Sequence, residues 1–254
     1  MLRHFPKPGV AYAHNVLDYK IVAFTFSCTA ICLTLDGFAP QKLQWVLAFF
    51  GYIFLAVLLA RESKLVRAQV CVALIFATIG ELFASPYMQG YIYRFGSVPL
   101  YVPAGHGMVY LTAVILARSG FFLRHARAIA AFIIVTCGAW SIWGLTAYAE
   151  RSDQIGAILF VVFLIYLFKG KSPMIYLGAF FITTWLELIG TSAGTWAWAW
   201  APIDPASGLT QGNPPSGVAA WYCLVDAVAM AGAGPALILA SKVKAKFSFV
   251  KQTV

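Results

Sequence analysis

Thr78-x-x-Glu81-Leu82, then Gly90-Tyr91-Ile92-Tyr93, then Pro103-Ala104-Gly105-x-x-x-x-Tyr110 is a pattern that the chain contains twice. The second copy is Thr184-x-x-Glu187-Leu188, Gly194-Thr195-Trp196-Ala197-Trp198 and Pro215-Ser216-Gly217-x-x-x-x-Tyr222. In each copy an apolar run ends near a carboxylate, and a loop rich in glycine and aromatic residues leads into a second apolar run. An apolar run of about 20 residues is long enough to cross a bilayer as a helix. The pattern therefore predicts an all-α, polytopic transmembrane bundle built by tandem duplication.

Outward from the pattern, apolar runs recur over 21–38, 43–60, 67–84, 99–117, 127–148, 154–168, 173–192 and 217–241, giving about eight spans. A seven-span alternative makes residues 99–106 re-entrant. Of 254 residues, 61% are hydrophobic and 11% charged, with mean hydropathy +0.80. Soluble domains carry roughly a quarter charged residues, which excludes an ordinary soluble protein.

The net charge of +9 is a topology signal. With eight spans, one side holds Arg3, Lys7, Lys20, Arg61, Lys64, Arg67, Arg118, Arg124, Arg127, Lys169, Lys171, Lys242, Lys244, Lys246 and Lys251. The other side holds Lys42, Arg94 and Arg151. Cytoplasmic loops concentrate Lys and Arg, so both termini are expected in the cytoplasm, in a multi-pass protein of a cell inner membrane. Nucleic acid is not an expected partner. The basic start followed by an apolar run has the outline of a signal peptide, but Asp36 and the absence of an A-x-A-like site predict a retained helix.

The chain reads as a single domain, 1–254. Repeat 1 covers 20–117, repeat 2 covers 127–241, and a cytoplasmic tail covers 242–254. Each repeat has an even number of spans, so the two four-helix repeats are parallel, related by an axis along the membrane normal. Both loops of the pattern, 85–98 and 193–216, fall on the side away from the positive charge.

Glu81 and Glu187 are the first candidates for catalysis, because a carboxylate near a helix C-terminus is opposed by the macrodipole and needs a reason to be there. Thr78 and Thr184, one turn earlier, are placed to hydrogen-bond them. Asp226 lies well inside the last span, where an aspartate costs about 3 kcal/mol or more, so it should face the interior, with Tyr222 as its expected partner. His106, with Tyr110 one turn on, aligns with Val218, and Asp226 aligns with Val114. Two ionisable residues thus break the duplication.

Tyr91, Tyr93, Trp196, Trp198 and Trp200 alternate with smaller residues. Their ordinary reading is an aromatic belt at the membrane interface. Alternation at period two also puts the rings on one side of an extended segment, where they could bind substrate or shield a cation. Tyr110, Tyr222, Thr78 and Thr184 complete the substrate-binding candidates.

The five cysteines all fall in spans and read as small buried hydrophobes, with no metal set. No Walker loop, dinucleotide fingerprint, HExxH or nucleophile elbow occurs, and no cofactor is expected.

Glu81, Gly90-Tyr91-Ile92-Tyr93, Val98-Pro99 and Val102-Pro103 resemble the core of the carotenoid-biosynthesis membrane proteins, the family that contains polyene hydratases. Glu187-Leu188-Ile189-Gly190, Gly194, Trp196, Trp198, Pro215 and Trp221 resemble it in the second copy. The family's Pro-Phe-Gly before the tyrosines is absent, and His106 stands where that family has a tryptophan. The resemblance implies acid catalysis on an isoprenoid double bond, with a glutamic acid protonating the alkene and aromatic faces sheltering the carbocation.

The sequence alone thus predicts an acidic and aromatic site on the extracytoplasmic side that binds or acts on a lipid-soluble substrate. Its partners are membrane lipid and a hydrophobic small molecule. The alternatives are a small proton- or cation-coupled transporter using Asp226, and an accessory subunit docking a protein partner on its outer face.

Overall fold

The computed structural model describes residues 4–7, 10–200 and 208–252, the side chains of 245–252 excepted. Arg3 and part of the second loop, 201–207, lie outside the described residues, as do the side chains of Lys246 and Lys251. Eight α-helices form among the described residues: α1 (Val16–Phe38), α2 (Leu43–Leu59), α3 (Lys64–Leu82), α4 (Val102–Arg118), α5 (Gly120–Gly144), α6 (Gln154–Lys169), α7 (Pro173–Ser192) and α8 (Ala220–Gln252). Each expected span coincides with one of them. Five, those beginning at Val16, Lys64, Gly120, Pro173 and Ala220, are long and apolar enough to cross a membrane, and α2 and α6 are shorter apolar helices.

Helix starts follow side-chain caps. Asn15 accepts from Leu17 N at 3.1 Å, Ser63 from Val66 N at 3.2 Å, and Asp153 from Gly156 N at 3.0 Å. Each satisfies an amide that has no partner within its helix. The end of α3 loosens into a π-helical turn, Phe83–Tyr87, around Pro86, which cannot supply a helical N–H.

Several boundaries differ from expectation. α5 starts at Gly120 rather than near 127, because Ser119 alone separates it from α4 and caps it at Phe122 N. The chain bends instead inside α5, at His125. α8 does not stop at 241 but runs into the expected tail, to Gln252. Cys71 is exposed rather than buried, Cys28 and Cys32 are half-buried, and only Cys137 and Cys223 are fully inside.

The core lies among α3, α4, α7 and α8. Val70, Ala73 and Ala77 meet Tyr110, Leu111, Ala113 and Ile115, with Ile182, Val225 and Ala229 closing the cluster. Packing crosses between the chain's halves, α3 against α8 and α4 against α7. Gly178 lets α7 approach the Ala113 backbone of α4, where a Cβ would overlap it. Outward faces of α2, α5 and α6 are apolar and exposed, as Trp45, Phe49, Phe132, Val135 and Ile165 illustrate. Such broad apolar surface belongs against lipid rather than water.

The two ends of the bundle differ. At one end Arg118 forms paired bonds to Asp18 (2.8 and 3.2 Å) and to Glu62 (2.7 and 2.8 Å). At the other, the two pattern loops meet. β1 (Tyr91–Tyr93) pairs antiparallel with β2 (Trp196–Trp198), in the register Tyr91↔Trp198, Ile92↔Ala197, Tyr93↔Trp196.

Candidate functional site

The small sheet sets the site. With side chains alternating along each strand, Tyr91, Tyr93, Trp196 and Trp198 fall on one face. Tyr91 and Trp198 have ring centroids 4.7 Å apart, and Tyr93 and Trp196 are 5.9 Å apart. Each strand holds the glutamate of its own half. Tyr91 and Tyr93 hydroxyls donate to Glu81 Oε2 at 2.6 and 2.9 Å. The Trp196 and Trp198 indole N–H groups donate to Glu187 Oε2 at 3.0 and 2.9 Å. Two donors on one oxygen fix the direction of each carboxylate. Burial pushes the Tyr91 and Tyr93 hydroxyls well above the usual phenol range, so both stay protonated donors.

The first copy carries an extra partner. His106 Nε2, from the first turns of α4, lies 3.2 Å from Glu81 Oε1, in ion-pair range but off the line of a hydrogen bond. His106 Nδ1 is 2.7 Å from the Tyr222 hydroxyl of α8. This chain of Glu81, His106 and Tyr222 joins three helices across the two halves. Glu187 lacks such a histidine and has only its indoles, at 8% exposure.

A cavity of about 840 Å³ opens beneath the sheet, lined by Glu81, Glu187, His106, Tyr222 and the four strand aromatics. Apolar side chains form most of the rest, Phe50 and Phe54 of α2 and Leu159 and Val162 of α6 among them. Its volume matches that of pockets which enclose a drug-sized or cofactor-sized molecule, apolar with a few convergent polar groups. Gly105 also borders it, and a Cβ there would meet nothing within 4 Å.

Eight of the expected site residues are therefore brought together: Glu81, Glu187, His106, Tyr91, Tyr93, Trp196, Trp198 and Tyr222. Four are not. Thr78 does not bond Glu81; its hydroxyl donates to Leu74 O of its own helix at 2.7 Å. The Thr184 hydroxyl is buried with no hydrogen-bond partner, and it does not reach Glu187. Asp226 pairs with Tyr110 at 2.8 Å rather than with Tyr222, and both stand off the cavity wall. Thr78 fails because a helical hydroxyl reaches its own i−4 carbonyl more easily than a side chain one turn on. The interfacial-belt reading of the aromatics also gives way, since Tyr91, Tyr93 and Trp196 are buried. Trp200 is exposed, its ring 5.3 Å from the Arg151 guanidinium.

The sequence reading missed the cavity's supports. Asp36, considered there only against signal cleavage, is buried and accepts from Gln44 at 2.9 Å and Tyr101 at 2.7 Å. Tyr101 lines the cavity beside Tyr93. Gln211 donates to Gly90 O at 2.7 Å, tying the second loop to the first. An aspartate closing an apolar run was the available signal for the first; nothing local marks Gln211. Among the described residues, no three His, Cys, Asp or Glu side chains gather as a metal set. Comparison with family models, curated proteins and solved structures finds no match to this chain.

Proposed function

We propose that this chain is a multi-pass inner-membrane protein of eight spans, two parallel four-helix repeats with both termini cytoplasmic. We further propose that its extracytoplasmic cavity binds and acts on a lipid-soluble molecule of the isoprenoid or lipid class. The observation that carries the reading is the pairing of two aromatically held carboxylates on the wall of one large apolar cavity. The charge asymmetry between loops supports the orientation. Resemblance to the polyene-hydratase family supports the substrate class.

In this reading Glu81 gives a proton to a double bond of the bound molecule, its position set by Tyr91, Tyr93 and His106. Positive charge left on carbon faces the rings of Tyr91, Tyr93, Trp196 and Trp198, whose π-faces attract cations. Glu187 takes up a proton from the neighbouring carbon, or from the nucleophile that captures the cation. Glu81 and Glu187 are then donor and acceptor of one site.

Extraction in lipid nanodiscs followed by mass spectrometry should recover a specific isoprenoid or lipid retained by the wild-type protein. Gly105→Phe adds a ring at a cavity-lining position where a Cβ meets nothing within 4 Å. It should lose that molecule while inserting normally. Glu81→Gln and Glu187→Gln should keep the molecule and abolish its conversion. A bound-lipid profile unchanged by Gly105→Phe would sink the reading.

A further inference from the structure

α1 and α2 are joined at two levels. Near the sheet, the buried Asp36 of α1 accepts from Gln44 of α2 at 2.9 Å. Further down, the Phe24 ring of α1 meets the Phe54 ring of α2 edge-on, with centroids 5.2 Å apart. Between these levels Cys28 and Cys32 of α1 and Leu47 and Gly51 of α2 line the cavity. Ile31 and Phe50 line it too, yet they also stand on the outer surface, 61% and 48% exposed. Side chains that border both the cavity and the surface mark a mouth.

Ile31 and Phe50 each lie about 10 Å along the axis from the sheet-side end of their helix, a depth that falls within the hydrocarbon of a bilayer. Around them Phe24, Phe49 and Ile53 are exposed and apolar, so the mouth opens onto lipid. Among the described residues no lysine or arginine lines the cavity, whose carboxyl groups are Glu81 and Glu187. Arg94 gives its guanidinium to the Asp36 and Ala39 carbonyls instead. An anionic headgroup drawn inside would meet two carboxyl groups and no counter-charge, and an unpaired charge is costly to bury.

We propose that the ligand is an uncharged chain molecule that enters sideways from the bilayer, between α1 and α2, through the mouth at Ile31 and Phe50. The inference rests on the reading of the cavity as a lipid site, and adds the route of entry and the charge of what enters. The Asp36–Gln44 and Phe24–Phe54 contacts bound the mouth on its two sides along the helices. A chain passing between them reaches the glutamates without crossing the sheet or meeting water. Ile31 and Phe50 thereby select what reaches Glu81 and Glu187.

The test uses the full chain in nanodiscs and geranylgeraniol carrying a diazirine, supplied in donor vesicles. Light flashes at timed intervals, followed by peptide mass spectrometry, read how fast label reaches the cavity lining. Ile31→Cys with Phe50→Cys places two thiols for a reducible bis-thiosulfonate to staple across the mouth. The background is Cys28→Ala, Cys32→Ala and Cys71→Ala, which removes the native thiols that are not fully buried. Stapling should abolish uptake, reduction should restore it, and probe loaded beforehand should stay in. Geranylgeranyl phosphate with the same diazirine should leave the cavity unlabelled. Phe50→Ala, which removes one side of the mouth, should speed uptake severalfold and serves where the cysteine variant does not fold. Stapled uptake at the unstapled rate, or Phe50→Ala uptake no faster than wild type, overturns the lateral mouth. Labelling by the phosphate equal to that by the alcohol overturns the uncharged ligand. A wild-type cavity that takes no alcohol overturns the lipid-site reading, and the mouth with it.

Discussion

Asp153 gathers three backbone amides on one buried carboxylate: Gly156 N at 3.0 Å, Gly212 N at 2.7 Å and Ser216 N at 2.8 Å. The first is an ordinary helix cap, while the other two fasten the segment that leads into α8 and so set the height of Tyr222. Beside it, Ser216 shares a hydroxyl bond with Ser141 at 2.9 Å, and Gly217 lies so close to the α6 backbone that any Cβ would overlap it. Asp153→Ala strands those amides in the interior. Hydrogen bonds to a charged group contribute about 1.5–3 kcal/mol each, with partial recovery through water, so a net loss of about 3 kcal/mol is expected. Thermal unfolding in nanodiscs should show a clear fall in midpoint, with Asp153→Asn intermediate because its amide oxygen still accepts. Equal midpoints for Asp153→Ala and wild type would contradict the anchoring role.

At the scale of elements, two strands of three residues each do more to place the site than any helix. Glu81 precedes its tyrosines by ten and twelve residues, and Glu187 precedes its tryptophans by nine and eleven. The two-residue interval common to both pairs was legible in the sequence, as were the eight helices, because both rest on local periodicity and composition. What was not legible was the pairing of β1 with β2, a contact across more than a hundred residues that no local pattern encodes. The partners of Asp226 and Tyr222 were misjudged for the same reason: proximity along one helix suggested a bond that the facing helix supplies instead. Gly190 is where this level can be probed. A Cβ there would overlap the Trp196 ring, so Gly190→Ala must push the indole from Glu187. Overpacking of this kind costs about 1–3 kcal/mol. The tryptophan emission should shift and the bound molecule should be lost, whereas the exposed and unobstructed Gly96→Ala is expected to matter only through its positive φ of 71°.

Across the whole molecule, the closest helix partners come from opposite halves of the chain, α3 with α8 and α4 with α7. Three polar contacts cross in the same way: Tyr222 reaches His106, Tyr110 reaches Asp226, and Gln211 reaches Gly90. A half on its own would leave the apolar faces of two central helices uncovered. It would also strip Asp226 of its Tyr110 donor, and a buried polar group left unmatched costs about 1–3 kcal/mol. Residues 1–118 and 119–254, divided at the single residue between α4 and α5, therefore should not fold as separate proteins. Expressed together, they should assemble into a stoichiometric complex with the cavity restored, because the Ser119 link adds no contact of its own to the site. Co-purification and recovery of the bound molecule measure this directly. A stable, monodisperse single half would mean that the exchange of helices between halves is dispensable, and that each glutamate sits in a self-sufficient unit.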